Sequence, residues 1–257
     1  MPELPDLQVF SRNLTKALKG KTLAKVHVLN HKKLNVPVKE LQEAIEGQIL
    51  TEVKRVGKEL HLEFKNGHVL GLHLMLHGQL SLFNKHSEQK YTIIELLFDD
   101  DTGLTLSDFQ AAATPTLDPQ DPGVPDALDF DLDYLKEKLA ATRTAIKTVL
   151  LDQHVLRGIG NAYADEILWD AKLSPFSASN KIPDAQIKVL AKSIKHVLED
   201  AEKQIIKTHP DIISGEVRDF MQVHSSKKKQ TSTGETIHQK PVGSRKTYYT
   251  DEQQLFS

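Results

Sequence analysis

Leu4, Leu7, Phe10, Leu14 and Leu18 recur at intervals of three and four residues, and Gly20 follows them. This spacing predicts a helix over roughly residues 5–19 with a glycine stop. From Thr22 to about Phe109 the period changes to two. Ala24, Val26 and Val28 alternate with polar residues, as do Leu60, Leu62 and Phe64 and then Leu70, Leu72 and Leu74. Asn66-Gly67 lies between the last two runs and reads as a tight hairpin turn. Ile93-Ile94 and Leu96-Leu97-Phe98 lead into Asp100-Asp101-Thr102-Gly103, and Leu104 and Leu106 resume the alternation. The pattern predicts short, mostly antiparallel strands folded as a sandwich. Pro115, Pro119, Pro122, Gly123 and Pro125 then crowd residues 114–126 and mark a linker. Beyond it the period is helical. Ile146, Val149 and Leu150 fit one helix, and Ile187, Leu190, Ile194, Val197, Ala201 and Ile205 form a long stripe opened by Pro183-Asp184. From about Ser214 the core-forming pattern stops, and residues 235–250 read as two short strands joined at Val242-Gly243. A tail of this size cannot hold itself together by core burial alone, so it must dock on the rest or bind metal.

Composition narrows the classes. With 257 residues, 39% of them hydrophobic, the chain can bury a real core. It has no Cys, which excludes disulfides, thiolate metal sites and a Cys nucleophile. No apolar run approaches the length of a membrane span, and no basic-then-apolar leader opens the chain, so an intracellular protein of cytoplasm or nucleoid is expected. The net charge of −2 does not advertise nucleic-acid binding. The average hides a contrast: Asp118, Asp121, Asp126, Asp129, Asp131, Asp133 and Glu137 crowd one stretch, while Lys227, Lys228, Lys229, Lys240, Arg245 and Lys246 lie in the tail. Basic patches of this kind either contact phosphates or form a solvated surface.

The candidate chemistry begins at Met1-Pro2-Glu3. A small second residue lets the initiator Met be removed, which leaves Pro2 as a secondary amine beside a carboxylate. An α-amino group has a pKa of roughly 8, so a useful fraction is unprotonated near neutrality. Such an amine attacks a sugar aldehyde carbon to form a Schiff base; the alternative is that Pro2 merely precedes a helix. A second candidate is Gly158-Ile159-Gly160-Asn161, set between two helical stretches. Glycines there let a phosphate approach the backbone, and the following helix N-terminus offers free N–H groups. Asn161 either caps that helix or donates to a phosphate.

The N-terminal Pro2-Glu3, the strand-rich first half and this glycine turn occur in one chain in that order. Together they resemble the formamidopyrimidine-DNA glycosylase/endonuclease VIII family. The stretch from Leu150-Leu151-Asp152-Gln153 to Gly158-Ile159-Gly160-Asn161-Ala162-Tyr163-Ala164-Asp165-Glu166 is similar to that family's helix–two-turn–helix motif. Arg218-Asp219-Phe220 and the tail also fit, so the resemblance covers nearly the whole chain. It implies an α+β multidomain protein: an N-terminal antiparallel β-sandwich with a leading helix over 1–117, an acidic, Pro-rich linker over 118–130, a helix–two-turn–helix domain over 131–214, and a zincless β-hairpin finger over 215–257.

The resemblance also implies a reaction. Pro2 is the nucleophile at C1′ of a damaged nucleotide, Glu3 assists ring opening and proton transfer, the base leaves, and elimination cuts the strand. Lys58, in Gly57-Lys58, matches a catalytic-site Lys that contacts phosphate near the lesion. Asn161, with Gly158 and Gly160, matches the phosphate-contacting turn, and Arg245 the phosphate-binding Arg at the finger tip. Leu76, in His73-Leu74-Met75-Leu76-His77-Gly78, falls where the family has a void-filling Met. The target nucleotide is flipped out at a cost of a few kcal/mol, offset by phosphate contacts and apolar wedges. The partner is damaged double-stranded DNA, with no membrane contact; the protein is a monomer and needs no cofactor.

The chain departs from the family in three places. The finger's four Cys positions align with Gln230, Thr233, Thr250 and Gln253, which are no substitute for zinc thiolates. His224 and His238 are stray candidate ligands without the right partners, so no metal is expected. The hairpin must dock instead, through Ile237, Tyr248, Tyr249, Leu255 and Phe256. A family loop that supplies an Arg and a Phe reads here Asp108-Phe109-Gln110-Ala111-Ala112-Ala113: the Arg is missing and Phe109 is out of register. Finally, Arg218-Asp219-Phe220 runs almost directly into Gln222-Val223-His224, where members that prefer 8-oxoguanine carry a long capping loop. That shortness implies an endonuclease VIII-like preference for oxidised pyrimidines or ring-opened purines. His73 and His77 read as sheet and interdomain residues rather than metal ligands, and Trp169 as core. The rival reading is a non-catalytic or weakly catalytic paralogue that binds lesions or unusual DNA structures on the same scaffold.

Overall fold

A computed structural model describes residues 1–257. The chain forms two compact units, Met1–Asp121 with Ile205–Glu216, and Pro122–Gln204 with Val217–Ser257. No helix is long and apolar enough to cross a membrane.

The first unit contains α1 (Leu4–Leu18), β1 (Leu23–Val28), α2 (Val38–Ile45), β2 (Leu50–Val56), β3 (Glu59–Phe64), β4 (Val69–His73), β5 (Gln79–Asn84), β6 (Thr92–Phe98), β7 (Thr102–Ser107) and β8 (Thr114–Leu117). Two four-stranded antiparallel sheets, ordered β1-β6-β7-β5 and β2-β3-β4-β8, form the sandwich. One apolar cluster unites Leu62 and Leu72 of one sheet, Leu96 and Leu104 of the other, and Phe10 and Leu14 of α1. In β3 the alternation in the sequence is the inward half of the strand; β1 breaks it, since a register shift between Leu23 and Lys25 buries Leu23 and Val26 and leaves Ala24 exposed, while the three-and-four spacing of α1 is the stripe laid against the sheets.

Two segments differ from the pattern read along the chain. Residues 38–45, inside the region of period two, form α2 rather than a strand. Only Leu41 and Ile45 are buried there, one helical turn apart among charged neighbours, and burying both on one side requires a helix. Residues 114–117, inside the breaker-rich stretch, form β8. It pairs only with β4, and a sheet edge is where a Pro such as Pro115 costs no ladder hydrogen bond.

The second unit contains α3 (Leu132–Ala140), α4 (Ile146–Leu151), α5 (Asn161–Asp170), a short 3-10 turn (Ser179–Lys181), most of α6 (Asp184–Thr208), and the hairpin of β9 (His238–Val242) and β10 (Arg245–Tyr249). Asp131 caps α3 by accepting from the Asp133 and Tyr134 N–H groups. Along α6 the buried stripe runs Ile187, Leu190, Ile194, Leu198, Ala201 and Ile205, with Val197 only half-buried beside it. Residues 122–130 count with this unit: the Arg157 N–H donates to the Pro125 carbonyl at 3.0 Å and the Ala127 N–H to the Arg157 carbonyl at 2.9 Å.

The tail is held by polar contacts to the helices. Glu235 accepts from the indole N–H of Trp169 at 2.6 Å and from Lys172 at 2.8 Å, and the Lys172 ammonium lies 4.9 Å from the indole centroid. Trp169, expected in the core, is a half-buried anchor for the tail. Burial pushes the Glu235 carboxyl up, but hydrogen bonds shared with Glu252, Lys172 and Trp169, and the Lys172 charge, outweigh it and hold the group at about 2. A folded-state value below the ordinary 4.5 stabilises the fold above that pH, and the contribution is lost as pH falls from 4.5 through about 2. Trp169 is the only Trp, so its emission should stay flat down to pH 4.5 and change on approach to 2. Glu235→Gln should abolish that titration, and a wild-type transition centred near 4.5 would contradict the contact.

Candidate functional site

Pro2 lacks an N–H and has a fixed φ, which suits the residue just ahead of a helix. Glu3 is the N-cap of α1 in extended conformation, and it forms a capping box with Asp6, whose carboxylate accepts the Glu3 N–H at 2.9 Å. Glu3 is 4% exposed. A carboxylate at this position faces the positive end of the helix dipole. Pro2 is buried, yet it lines a cavity of about 870 Å³ together with Leu76, His77 and Phe109. The Met1 ammonium ahead of it pairs with the Glu216 carboxylate.

The opposite wall is built by two tight loops. Between β4 and β5 the Gly78 N–H donates to the Leu74 carbonyl at 2.8 Å. A Cβ on Gly78 would stand 2.3 Å from that oxygen, so only glycine closes this turn, and Leu76 is thrust outward at 58% exposure. After β7 the buried Asp108 carboxylate accepts the N–H groups of Gln110, Ala112 and Ala113. That knot exposes Phe109 to 61% and sets its ring 4.7 Å from the His77 ring. Phe109 is out of register in the sequence, but the loop wound around Asp108 carries it to the same cavity wall as Leu76. Two large apolar side chains exposed side by side suit an apolar occupant of the cavity.

Lys58 follows Gly57, whose φ of +57° makes the β2–β3 turn. Arg55 ties this turn to α1: its Nε donates to Gln8 Oε1 at 2.8 Å and its Nη1 to the Gly57 carbonyl at 3.2 Å. Lys58 is half-buried. Burial pushes the His73 imidazole below its usual range and the Lys58 charge adds to this, against Glu59. His73 Nδ1 accepts the Met75 N–H at 3.0 Å, which requires that nitrogen to be unprotonated. His73 thus stiffens the turn that presents Leu76.

In the second unit, Gly158 has a φ of +105°, and Gln153 clamps the turn by accepting the Gly158 N–H and donating to the Leu151 and Ile159 carbonyls. The cap of α5 is Gly160; Asn161 is the first helical residue, which corrects its reading as a cap. Freed from that task, Asn161 donates from Nδ2 to the Lys246 carbonyl at 3.0 Å, so it sits against the strand that begins with Arg245. Arg245 is exposed beside the Gly243 turn, where φ is +55°. Asn161, Gly158, Gly160 and Arg245 are therefore gathered by one hairpin–turn contact.

That contact is fastened by buried charges. Lys147 and Asp165 are both fully buried and 2.7 Å apart. Lys147 also donates to Thr247 Oγ1 at 2.8 Å and to the Lys246 carbonyl at 3.1 Å, while Asp165 Oδ2 accepts from the Tyr248 N–H at 3.0 Å and lies 2.7 Å from His224 Nδ1. The four positions aligned with zinc ligands carry amides and hydroxyls, of which the Gln253 amide and the Thr233 hydroxyl, 2.9 Å from Thr231 Oγ1, are engaged by their side chains. Gln253 Oε1 accepts the Thr250 N–H at 2.8 Å, its Nε2 donates to the Leu173 carbonyl at 2.9 Å, and Gln230 bridges to Thr236. These groups do not fit zinc. His224 and His238 are each engaged by a carboxylate, Asp165 and Asp251. Tyr248 is buried against His224, and the Tyr249 ring stands edge-on to Phe176 at 5.0 Å, whereas Leu255, expected to dock, is 57% exposed.

Comparison with known proteins matches residues 1–114 to the formamidopyrimidine-DNA glycosylase N-terminal domain and residues 122–210 to the formamidopyrimidine-DNA glycosylase H2TH domain. The formamidopyrimidine-DNA glycosylase of Carboxydothermus hydrogenoformans is 34% identical over 77% of this chain and 76% of its own. That of Lactobacillus gasseri is 28% identical over 93% of each chain. Among solved structures, the Lactococcus lactis Fpg in complex with abasic-site DNA superposes with a TM-score of 0.88 at 25% identity, covering 98% of this chain and 99% of that one.

Proposed function

The chain belongs to the formamidopyrimidine-DNA glycosylase family, and from that premise we propose that it is a base-excision-repair DNA glycosylase with AP lyase activity whose nucleophile is the amine of Pro2. The observation that carries the reading is the place of Pro2: next to Glu3, in the wall of an open cavity rather than inside a packed core. Once Met1 is removed, the lone pair of the secondary amine attacks C1′ of an extruded nucleotide. Glu3 delivers a proton to the sugar-ring oxygen, the bond from C1′ to the base breaks, and an iminium links Pro2 to the opened sugar. The base leaves with the proton that the amine gives up, and Glu3, ionised by its transfer to the ring oxygen, can take the proton from the adjacent sugar carbon as the electron pair expels the 3′ phosphate. Lys58, held at the turn fastened by Arg55, contacts a backbone phosphate beside the lesion. Asn161 and Arg245 hold phosphates on the second unit, with Gly158 and Gly160 letting the backbone approach. Leu76 fills the space the nucleotide vacates, and Phe109 is added to it on the strength of its exposure on the same wall.

The substrates of this reading are oxidised pyrimidines and ring-opened purines. Support comes from the short connection after Arg218: the Glu166 carboxylate accepts the N–H groups of Gln222, Val223 and His224 at 2.7–2.8 Å. A segment pinned to α5 at three consecutive residues has no slack for a long capping loop. Excision rates across duplexes carrying each lesion class measure this; fastest excision of 8-oxoguanine would contradict it.

Borohydride trapping on an abasic duplex, followed by peptide mapping, tests the central claim. The expected result is a covalent adduct on residue 2 in protein lacking Met1, and none where Met1 is retained. An adduct on a Lys would move the nucleophile away from Pro2, and no adduct at all with lesion binding intact would leave the non-catalytic DNA-binding reading in its place.

A further inference from the structure

The segment ahead of the tail returns to the first unit and ends at the amino terminus. Asn13 of α1 donates from Nδ2 to the Pro210 and Ile212 carbonyls at 2.9 and 2.8 Å, and Ser214 Oγ accepts the Leu80 N–H of β5 at 3.0 Å. These anchors, with the left-handed Gly215 at φ +89°, deliver Glu216 to the cavity that Pro2 lines. Its carboxylate meets the Met1 ammonium there. The chain thus supplies, from a point more than 200 residues away in sequence, a carboxylate at its own amino terminus.

We propose that Glu216 is the counter-ion of the working amino terminus, a positioning residue that holds the Pro2 amine in the cavity and sets the pH at which it becomes a free nucleophile. The inference rests on the reading that Pro2 is that terminus. Removing Met1 moves the amine inward by one residue, roughly 3.8 Å, a step that a Glu side chain follows by rotation. A carboxylate within reach of an ammonium favours the charged form and raises its pKa. The other ionisable groups around the cavity are differently engaged. Glu3 and Asp6 form the capping box, Asp108 holds three backbone N–H groups, and the His77 ring lies tilted against that of Phe109. Glu88, Lys90 and Tyr91 lie exposed on the loop between β5 and β6. Glu216 alone among them contacts the terminal ammonium.

The test uses the full chain treated with methionine aminopeptidase and verified by mass to begin at Pro2. Reductive methylation of Pro2 with formaldehyde and cyanoborohydride, followed by mass spectrometry across pH, reads the fraction of free amine without DNA. Glu216→Gln should lower the midpoint by about one pH unit, and so raise the methylation rate near pH 6.5 up to about tenfold. Glu88→Gln, on the same cavity rim, should leave the midpoint where it is. In the wild type, added salt should lower the midpoint by screening the pair, and salt should have little effect on Glu216→Gln. Equal midpoints in the wild type and Glu216→Gln, or an equal shift in Glu88→Gln, would overturn the proposal. Abasic-site trapping run in parallel separates the two claims. A methylation shift without any adduct would sink the glycosylase reading and leave the Glu216 pairing intact; adducts without a shift would do the reverse.

Discussion

Replacing Lys147 by Ala should destabilise the second unit by about 3–5 kcal/mol, the usual cost of leaving one half of a buried ion pair behind. The reason is the position of Asp165. It is fully buried and pairs with the fully buried Lys147 ammonium at 2.7 Å, with only the His224 imidazole as a second side-chain partner. Deleting that ammonium also leaves Thr247 Oγ1 with only its bond to the Arg245 carbonyl and removes one of the donors to the Lys246 carbonyl. Those two residues belong to β10, so the loss should concentrate in the hairpin. Urea unfolding would report the overall cost, and hydrogen exchange of the β9–β10 amides would show protection lost there first. DNA affinity should fall with it, because Arg245 rides on the same strand. The double substitution Lys147→Met with Asp165→Asn removes both charges while keeping an acceptor for the Tyr248 N–H, and should cost less than Lys147→Ala alone. A penalty below about 1 kcal/mol for Lys147→Ala would show that the hairpin is held by something else.

Replacing Glu3 by Gln should slow base excision by about 10²–10⁴-fold while leaving the fold almost untouched, as expected when a proton-transfer group is removed. Glu3 has two roles in the structure, and the substitution separates them. As N-cap it joins the capping box with Asp6, and a Gln side-chain oxygen serves that role about as well. In the proposed reaction the carboxylate beside Pro2 donates and accepts a proton, which an amide cannot do at neutral pH. Single-turnover excision of a ring-opened purine, set beside thermal melting, distinguishes the two. A large drop in melting temperature with a proportional loss of excision would make Glu3 a structural cap and remove it from the chemistry.

Much of the molecule was legible in the residues themselves. The stripe Leu4 to Leu18 and the alternation around Leu62, Leu72 and Leu104 reported helix and strand directly, because the side-chain period is a property of the local backbone. The order of Pro2-Glu3, the strands and the glycine turn carried the family, and the absence of Cys excluded a zinc finger of thiolates. What local pattern did not show was anything that depends on where two distant segments meet. Lys147 and Asp165 read as ordinary charged residues on two helices, since nothing in their neighbours announces that both are fully buried. Phe109 lay out of register until the Asp108 knot set its direction. Asn161 reads either as a cap or as a phosphate donor, until Gly160 takes the cap position and the hairpin engages its side chain. Glu216 is a lone acid near a glycine until Asn13 and Ser214 bring it to the amino terminus. By itself the sequence determined most of the elements and the family, because these follow from residue type and spacing along one chain. Only the tertiary structure decided which charges are buried together and which side chains share a cavity, because a pair's energy depends on its separation and on how much water reaches it, and neither is written in sequence distance.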